Sequence, residues 1–215
     1  MKIYQIYYNE ITKQEILPKF IPYDNTLPNK PNEFEYGVMR NLYTKHDFKE
    51  SLGIFSWKFN QKTNLTDDQV YEFIEANPGY DIYTFNPFVN MNNFKNVWLQ
   101  GEFYHRGMLK FVTDIFQKSK VDMALINPQN FHSPKITCYC NYWVANKKFW
   151  DIFMSYTEQI YKYCYKADQK TQDLLFNIKA DRVIDSAMFS FIFERLFTTI
   201  LYKHQKQFKV LPFYQ

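Results

Sequence analysis

Residues 98–107 hold the densest group of side chains that could do chemistry: Gln100, Glu102, His105 and Arg106, beside two glycines and three aromatic residues. Glycine lets a ligand approach the backbone closely, a carboxylate can act as a general base towards a hydroxyl group, and histidine or arginine can hold a phosphate. The same residue types are also found at the start of ordinary helices, where charged groups are solvated and interact with the helix dipole. The segment is therefore a candidate site with a plain structural alternative.

Asp81 and Asn86 stand at the two ends of a predicted strand, residues 80–85. Ligands of open α/β sheets bind beyond the carboxyl ends of the strands. This rule favours Asn86, which follows the strand, over Asp81, which begins it. Both residue types also serve in turns and helix caps, and that use is the alternative for each.

Two further groups of charges lie in the last predicted helix, residues 181–204. Asp181 and Asp185 are four residues apart and share one face at its start, where carboxylates suit the helix dipole without any catalytic role. Asp185 is nevertheless a candidate base. Glu194 and Arg195 lie in an apolar stretch, where charges are costly unless they are paired, so we predict a structural ion pair.

Several common functional motifs are absent from the sequence. It has neither a Gly-x-x-x-x-Gly-Lys-Ser/Thr nor a Gly-x-Gly-x-x-Gly phosphate loop, which argues against kinases, simple ATPases and dinucleotide oxidoreductases. It also lacks the Gly-x-Ser-x-Gly turn of many hydrolases. The four histidines are far apart, and Cys138, Cys140 and Cys164 have no zinc-binding spacing, so no metal site of that kind is predicted.

Composition predicts one compact domain over residues 1–215, because 46% of the residues are hydrophobic and only 22% are charged. Phe and Tyr are abundant, so rings must fill much of the core, and a Tyr left at a cleft could stack on a sugar or a base. The net charge of +4 is spread along the chain and is weak support for any anionic partner. Without a signal peptide or an apolar run of membrane-spanning length, we expect a cytoplasmic protein that could sit at the inner face of the membrane.

The periodicity of the sequence predicts alternating strands and helices. The predicted strands are residues 2–8, 52–59, 80–85 and 135–144, and the predicted helices are residues 32–43, 66–76, 101–117, 147–166 and 181–204. Thr66 and Gln69 have the spacing of a capping box, and residues 19–32, with several prolines, read mostly as loop. Strand, helix and strand over residues 52–85 suggest a βαβ unit with parallel pairing. We therefore predict an α/β fold with a mixed, mostly parallel central sheet flanked by helices.

Five segments, taken in order, resemble a family of largely uncharacterised bacterial proteins. They are residues 52–59, 77–87, 98–108, 141–150 and 182–196, and together they span most of the chain. This family is encoded with lipopolysaccharide and capsule genes and is grouped with glycosyltransferases of the GT-A type. Each segment alone is a weak match, and their order carries the resemblance.

The resemblance implies a GT-A-like fold and an enzyme that moves a sugar from a nucleotide-sugar donor to a glycan or lipid-linked acceptor of the cell surface. It implies Glu102 or Asp185 as the base, and Asp81 and Asn86 near the donor. It implies Lys58, His105 and Arg106 near the phosphates. Gln100 and Asn141 complete the predicted substrate-binding residues.

Many GT-A enzymes hold Mg²⁺ or Mn²⁺ with an Asp-x-Asp tripeptide, which this chain lacks. Asp81 supplies a single carboxylate near the expected place, so the sequence leaves metal dependence open. Basic groups could stabilise the leaving diphosphate instead of a metal. The missing tripeptide also motivates an alternative, a non-catalytic glycan-binding or assembly module with the same fold. Nucleic-acid binding through Lys and Tyr is a weaker option, and we expect no nucleic-acid partner.

Overall fold

A computed structural model describes residues 1–177 and 187–214 of the chain, so that Asp181 and Asp185 lie outside the described residues. The described residues form one six-stranded sheet in the order β2-β1-β3-β5-β4-β6. Its strands are β1 (Lys2–Tyr7), β2 (Ile21–Asp24), β3 (Leu52–Ser56), β4 (Ile82–Thr84), β5 (Trp143–Ala145) and β6 (Val210–Pro212).

The directions of the strands confirm the predicted α/β fold with a mixed, mostly parallel sheet. β1 pairs in parallel with β2 and β3, and β4 pairs in parallel with β6. β5 runs antiparallel to both of its neighbours, β3 and β4. The predicted direct pairing of the strands in residues 52–59 and 80–85 is therefore wrong, because β5 lies between them.

Helices alternate with the strands along the chain and flank the sheet. They are α1 (Glu10–Lys13), α2 (Phe34–Lys45), α3 (Phe59–Thr63), α4 (Asp67–Ala76), α5 (Val97–Tyr104), α6 (Met108–Ser119), α7 (Lys147–Cys164), α8 (Gln169–Gln172) and α9 (Met188–His204). Short 3₁₀ turns occupy Pro31–Glu33, Val89–Asn93, Met123–Ile126 and Gln205–Gln207, and a π turn occupies Asp173–Asn177. The predicted capping box of α4 is confirmed, since Thr66 and Gln69 each accept a hydrogen bond from the other's backbone N–H.

Aromatic rings fill the core, as the composition predicts. Trp143 of β5 is buried against α7 and α9, with ring centroids 4.5 Å from Trp150, 5.3 Å from Phe153 and 4.9 Å from Phe197. Such ring pairs stabilise a core beyond the area that they bury. They fix β5, the short central strand, against the helices behind the sheet.

Three predicted elements differ from the structure. Residues 135–144 were expected to form one strand, but only their last residues belong to β5, because the Cys138 N–H donates to the Thr198 hydroxyl of α9 instead of to a strand. Residues 19–32 contain β2, an edge strand, where a proline is tolerated. Residues 101–117 form parts of two helices, α5 and α6, and the chain turns between them at Gly107, whose φ is 94°.

Gly53 of β3 offers a test of how closely β5 must lie against β3. A Cβ atom at this position would lie 2.7 Å from Val144 Cγ2 and 3.3 Å from the Trp143 carbonyl oxygen. We expect Gly53→Ala to lower the free energy of unfolding by about 1–3 kcal/mol, measured by urea denaturation, because the strands must separate. Val144→Ala removes the clashing methyl group, so the double variant should lose less stability than the sum of the two single variants. Strictly additive losses would contradict this packing.

Candidate functional site

The carboxyl edge of the sheet opens into a cavity of about 560 Å³. Tyr8 follows β1 there, Ser56 ends β3, and Trp57 and Lys58 come directly after it. Asn141 reaches the same edge because β5 runs in the opposite direction and begins where its neighbours end. The cavity thus lies where ligands of α/β sheets bind.

Helices α2, α5 and α9 line the cavity on its other sides. Glu35 comes from the first turn of α2, and Glu194 and Arg195 come from α9. Gln100 of α5 and His105, at the carboxyl end of α5, complete the wall. The His105 ring stacks on Phe191 of α9 with centroids 3.9 Å apart, which holds the ends of the two helices together.

An unusual turn carries Asn141 into the cavity. Cys140 and Asn141 have φ values of 63° and 57°, in the left-handed region that most residues avoid, although asparagine tolerates it. Asn141 is buried, and its side-chain oxygen has no hydrogen-bond partner among the described residues. The hydroxyl of Ser190, across the cavity on α9, also lacks a partner there. Buried polar atoms without partners are costly, so these two atoms are ready to bind a polar ligand.

The cavity holds both signs of charge. Burial lowers the pKa of Lys62 in α3, but its contact with Cys140 Sγ at 3.1 Å and the carboxylates of Glu194 and Glu35 outweigh this effect and raise the pKa. Lys62 therefore stays charged. Burial raises the pKa of Glu35, and Glu194 adds to this, while Lys62 and Lys58 oppose it. Burial also raises the pKa of the Cys140 thiol to about 12, so it stays protonated and is a poor nucleophile.

Arg195 supports the wall of the cavity through uncharged partners. Its guanidinium is buried and donates to the Val97 carbonyl at 3.0 Å, to the Phe191 carbonyl at 2.7 Å and to the Gln100 side-chain oxygen. Burial lowers the pKa of Arg195. The structure shows no direct ion pair of Glu194 with Arg195, since three guanidinium N–H groups bind these neutral oxygens and Glu194 lines the cavity. Arg195 instead ties α5 to α9.

The structure brings four of the predicted site residues together around the cavity: Lys58, Gln100, His105 and Asn141. Asn86 lies beside it, where its side-chain oxygen accepts the Tyr139 N–H at 3.3 Å and the Phe88 N–H at 3.2 Å. Tyr139 and Phe88 both line the cavity, so Asn86 helps to shape the wall.

Other predicted site residues lie away from the cavity lining. Asp81 is at the opposite edge of the sheet, before β4, where its carboxylate accepts hydrogen bonds from the Asn146 side chain and the Lys209 N–H. Both Glu102 oxygens accept backbone N–H groups at the start of α6, those of Gly107 and Leu109. Arg106 is exposed beyond α5, and Asp185 lies outside the described residues. The roles predicted for these residues stay predictions.

Glu35, Lys62 and Ser190 line the cavity although the sequence analysis did not single them out. Glu35 and Lys62 stand in polar stretches that resemble any solvated surface, and only the packing of α2 and α3 over the sheet brings them together. Glu194 did carry a signal, a charge within an apolar helix, but it suggested pairing rather than exposure to a cavity.

The described residues of the cavity do not form a site for a divalent metal. Within residues 1–177 and 187–214, no three His, Cys, Asp or Glu side chains converge, and the two cavity carboxylates share their space with Lys62. Mg²⁺ and Mn²⁺ require several oxygen ligands around one point. No helix in this part of the chain combines the length and the apolar character needed to cross a membrane.

The overall fold of the chain is one that a known glycosyltransferase shares. The chain is similar to the apo structure of WbbM, a bifunctional glycosyltransferase, with a TM-score of 0.57 and 13% identity. The match covers 99% of this chain and 44% of WbbM, so the chain spans less than half the length of that protein. At this identity the likeness shows the fold alone. No protein-family profile and no curated protein sequence matches the chain.

The pKa of Glu35 leads to a pH-dependent test of stability. A carboxyl group whose pKa is raised by folding destabilises the fold once it ionises, so the loss of stability begins as the pH rises above its ordinary pKa. We expect Glu35→Gln, which cannot ionise, to be more stable than the natural protein at about pH 7 and equally stable at about pH 3.5. Urea denaturation at both pH values measures the difference. A variant that is less stable at neutral pH would show that the Glu35 carboxylate is stabilised, not penalised, by its surroundings.

Proposed function

We propose that the protein is a glycosyltransferase that uses a nucleotide-sugar donor and builds a cell-surface glycan, such as lipopolysaccharide or capsule. The cavity at the carboxyl edge of a glycosyltransferase-like sheet is the observation that carries this proposal. Its size lies within the range of about 300–1,000 Å³ that is usual for small-molecule sites. Its lining combines the two features that sugar binding uses, hydrogen-bonding groups such as Asn141 and Ser190, and aromatic faces such as Trp57 and Phe191.

Lys58 and Lys62 are suited to the donor diphosphate. Lys58 follows β3 at the cavity and is exposed, with its ammonium group 4.9 Å from the centre of the Trp57 ring. Lys62 is one helical turn further on, half-buried and charged. Two cations fixed near a departing diphosphate stabilise the charge that develops as its bond to the sugar breaks. In this proposal they act where other transferases place a metal ion.

Glu35 is the general base in this proposal. The carboxylate faces the cavity, and its raised pKa brings it nearer to neutral pH, where a base works best. It takes the proton of an acceptor hydroxyl while that oxygen bonds to the anomeric carbon of the donor. The bond from this carbon to the diphosphate breaks, and the nucleoside diphosphate leaves next to the two lysines. Glu102 is less suited, because both of its oxygens already accept backbone N–H groups.

Donor binding is the first test of the function. UDP-, GDP-, CMP- and dTDP-sugars are screened by thermal shift, since a donor at 100 times its dissociation constant adds about 2.7 kcal/mol of stability. We expect one nucleotide class to stabilise the protein. Asn141→Gly keeps a backbone that accepts positive φ but removes the amide, so it should weaken binding about tenfold, the loss expected for one hydrogen bond. If no donor shifts the melting temperature, the transferase proposal loses its support.

Turnover distinguishes the candidate bases. We expect Glu35→Gln to lower the rate of sugar transfer by roughly 10²–10⁴-fold, the usual contribution of a general base. Glu102→Gln is the matched control, because a carboxamide oxygen can still accept a backbone N–H at α6, and its rate should change only a few-fold. Loss of turnover in Glu102→Gln alone would move the base to Glu102, and unchanged rates in both variants would exclude both residues and leave Asp185 and the cavity carboxylate Glu194 as candidates.

A second outcome would favour the alternative function. If the protein binds glycans but neither binds nor hydrolyses any nucleotide sugar, it is a non-catalytic glycan-binding or assembly module on the same fold. The cavity would then hold a segment of the glycan, bound by the same unpartnered atoms of Asn141 and Ser190.

A further inference from the structure

Three aromatic residues form a group at the carboxyl end of α5, which we name the aromatic cluster: the exposed Phe103 and Tyr104, and the half-buried Phe94. The ring centroids of Phe103 lie 5.4 Å from Phe94 and 5.1 Å from Tyr104. Phe103 is 70% exposed and Tyr104 is 47% exposed, although most large rings of this protein are buried. Grouped rings in water are unfavourable, and on soluble proteins they mark surfaces that bind something.

The aromatic cluster is continuous with the cavity. Tyr104 belongs to both, because it lines the cavity and remains half exposed to solvent. Met91, in the 3₁₀ turn just before Phe94, also lines the cavity. A surface that covers the aromatic cluster therefore lies beside the mouth of the cavity.

Positive charges accompany the aromatic cluster. Lys95, Arg106 and Lys110 are exposed in the same stretch of chain, and none of them forms an ion pair with any residue that the structure describes. The Lys95 ammonium group donates to the Gln129 side-chain oxygen at 2.7 Å. Glu102 is the single acidic residue between positions 94 and 110, and backbone N–H groups hold both of its oxygens.

We propose that the aromatic cluster, together with Lys95, Arg106 and Lys110, binds the surface of an anionic lipid bilayer. Aromatic rings that reach the surface beside cations are typical of an interfacial membrane contact, in which the rings enter the headgroup region and lysines and arginines contact acidic lipids. The two Phe rings carry no hydrogen-bonding atoms, so they suit lipid better than they suit a sugar. Where the proposed transferase function holds, this contact brings the cavity to the plane from which a lipid-linked acceptor projects.

Sedimentation with lipid vesicles tests the proposal. The purified full chain is mixed with vesicles of phosphatidylcholine alone and with vesicles that also contain phosphatidylglycerol. We expect the protein to partition onto the anionic vesicles and to be released by high salt, because the cations supply much of the attraction. Phe103→Ser should weaken partitioning roughly tenfold, since one buried ring is lost. Lys95→Glu with Lys110→Glu should abolish it.

Ile11→Ser is the matched control, because Ile11 is a 75% exposed apolar side chain on α1 that lies outside the aromatic cluster. It should bind the vesicles as the natural protein does. No partitioning onto anionic vesicles, or equal losses in Phe103→Ser and Ile11→Ser, would overturn the proposal. So would a dimer in solution that Phe103→Ser dissociates, since a second copy of the chain would then cover the aromatic cluster. Donor binding measured without lipid reports on the transferase function separately, so the two proposals can fail independently.

Discussion

The pairing of β5 between β3 and β4 is the constraint on which the rest of the structure depends. β5 is antiparallel to both neighbours, so its amino end lies beside their carboxyl ends. The turn that precedes β5 must therefore lie at the carboxyl edge of the sheet. The ring of Trp143, stacked 4.9 Å from Phe197, holds the short strand in place. The turn into β5 requires positive φ values at Cys140 and Asn141, which are unfavourable in free energy, and the packing of the aromatic core offsets this strain. The position of Asn141 in the cavity follows directly.

The charges of the cavity suggest a site organised before its ligand arrives. The buried guanidinium of Arg195 donates hydrogen bonds to neutral oxygens of Val97, Phe191 and Gln100, and none of these three partners is a carboxylate. Glu35 and Lys62 remain free of tight pairing with each other and face the same space. Polar groups that are already fixed need little reorganisation when a charged transition state forms, and this is the main source of catalysis in many enzymes. Polar groups fixed without partners at the carboxyl edge of the sheet lower the stability of the fold, and the packing of the core compensates for this loss.

Local signals in the sequence predicted those parts of the fold that depend on local physics. The capping box of Thr66 and Gln69 is complete within four residues, and the apolar stripe of α7 marks that helix clearly. β5 could not be delimited in the same way, because residues 135–144 look like a strand and only the contact of Cys138 with Thr198, 60 positions away, shows that most of them are not.

In the candidate site, too, some residues could be predicted from the sequence and others depend on contacts between distant segments. Lys58 and Asn141 could be proposed only from the resemblance of residues 52–59 and 141–150 to a known family, whereas Gln100 and His105 could be proposed from the density of polar groups in residues 98–107. The structure places all four at the cavity. Glu35 could not be found, because its role depends on where the first turn of α2 packs, which no local pattern encodes. Glu102 has the right chemistry in sequence, but its backbone hydrogen bonds become visible only when α5 and α6 are separate helices.

A crystal structure of the protein soaked with a nucleoside diphosphate tests the central claim most directly. The account predicts that the diphosphate lies in the cavity at the carboxyl edge, within hydrogen-bonding distance of Lys58 or Lys62, and that the ligand contacts the side-chain oxygen of Asn141 or the hydroxyl of Ser190. A nucleotide bound at the opposite edge of the sheet beside Asp81, with the cavity left unoccupied, would contradict it.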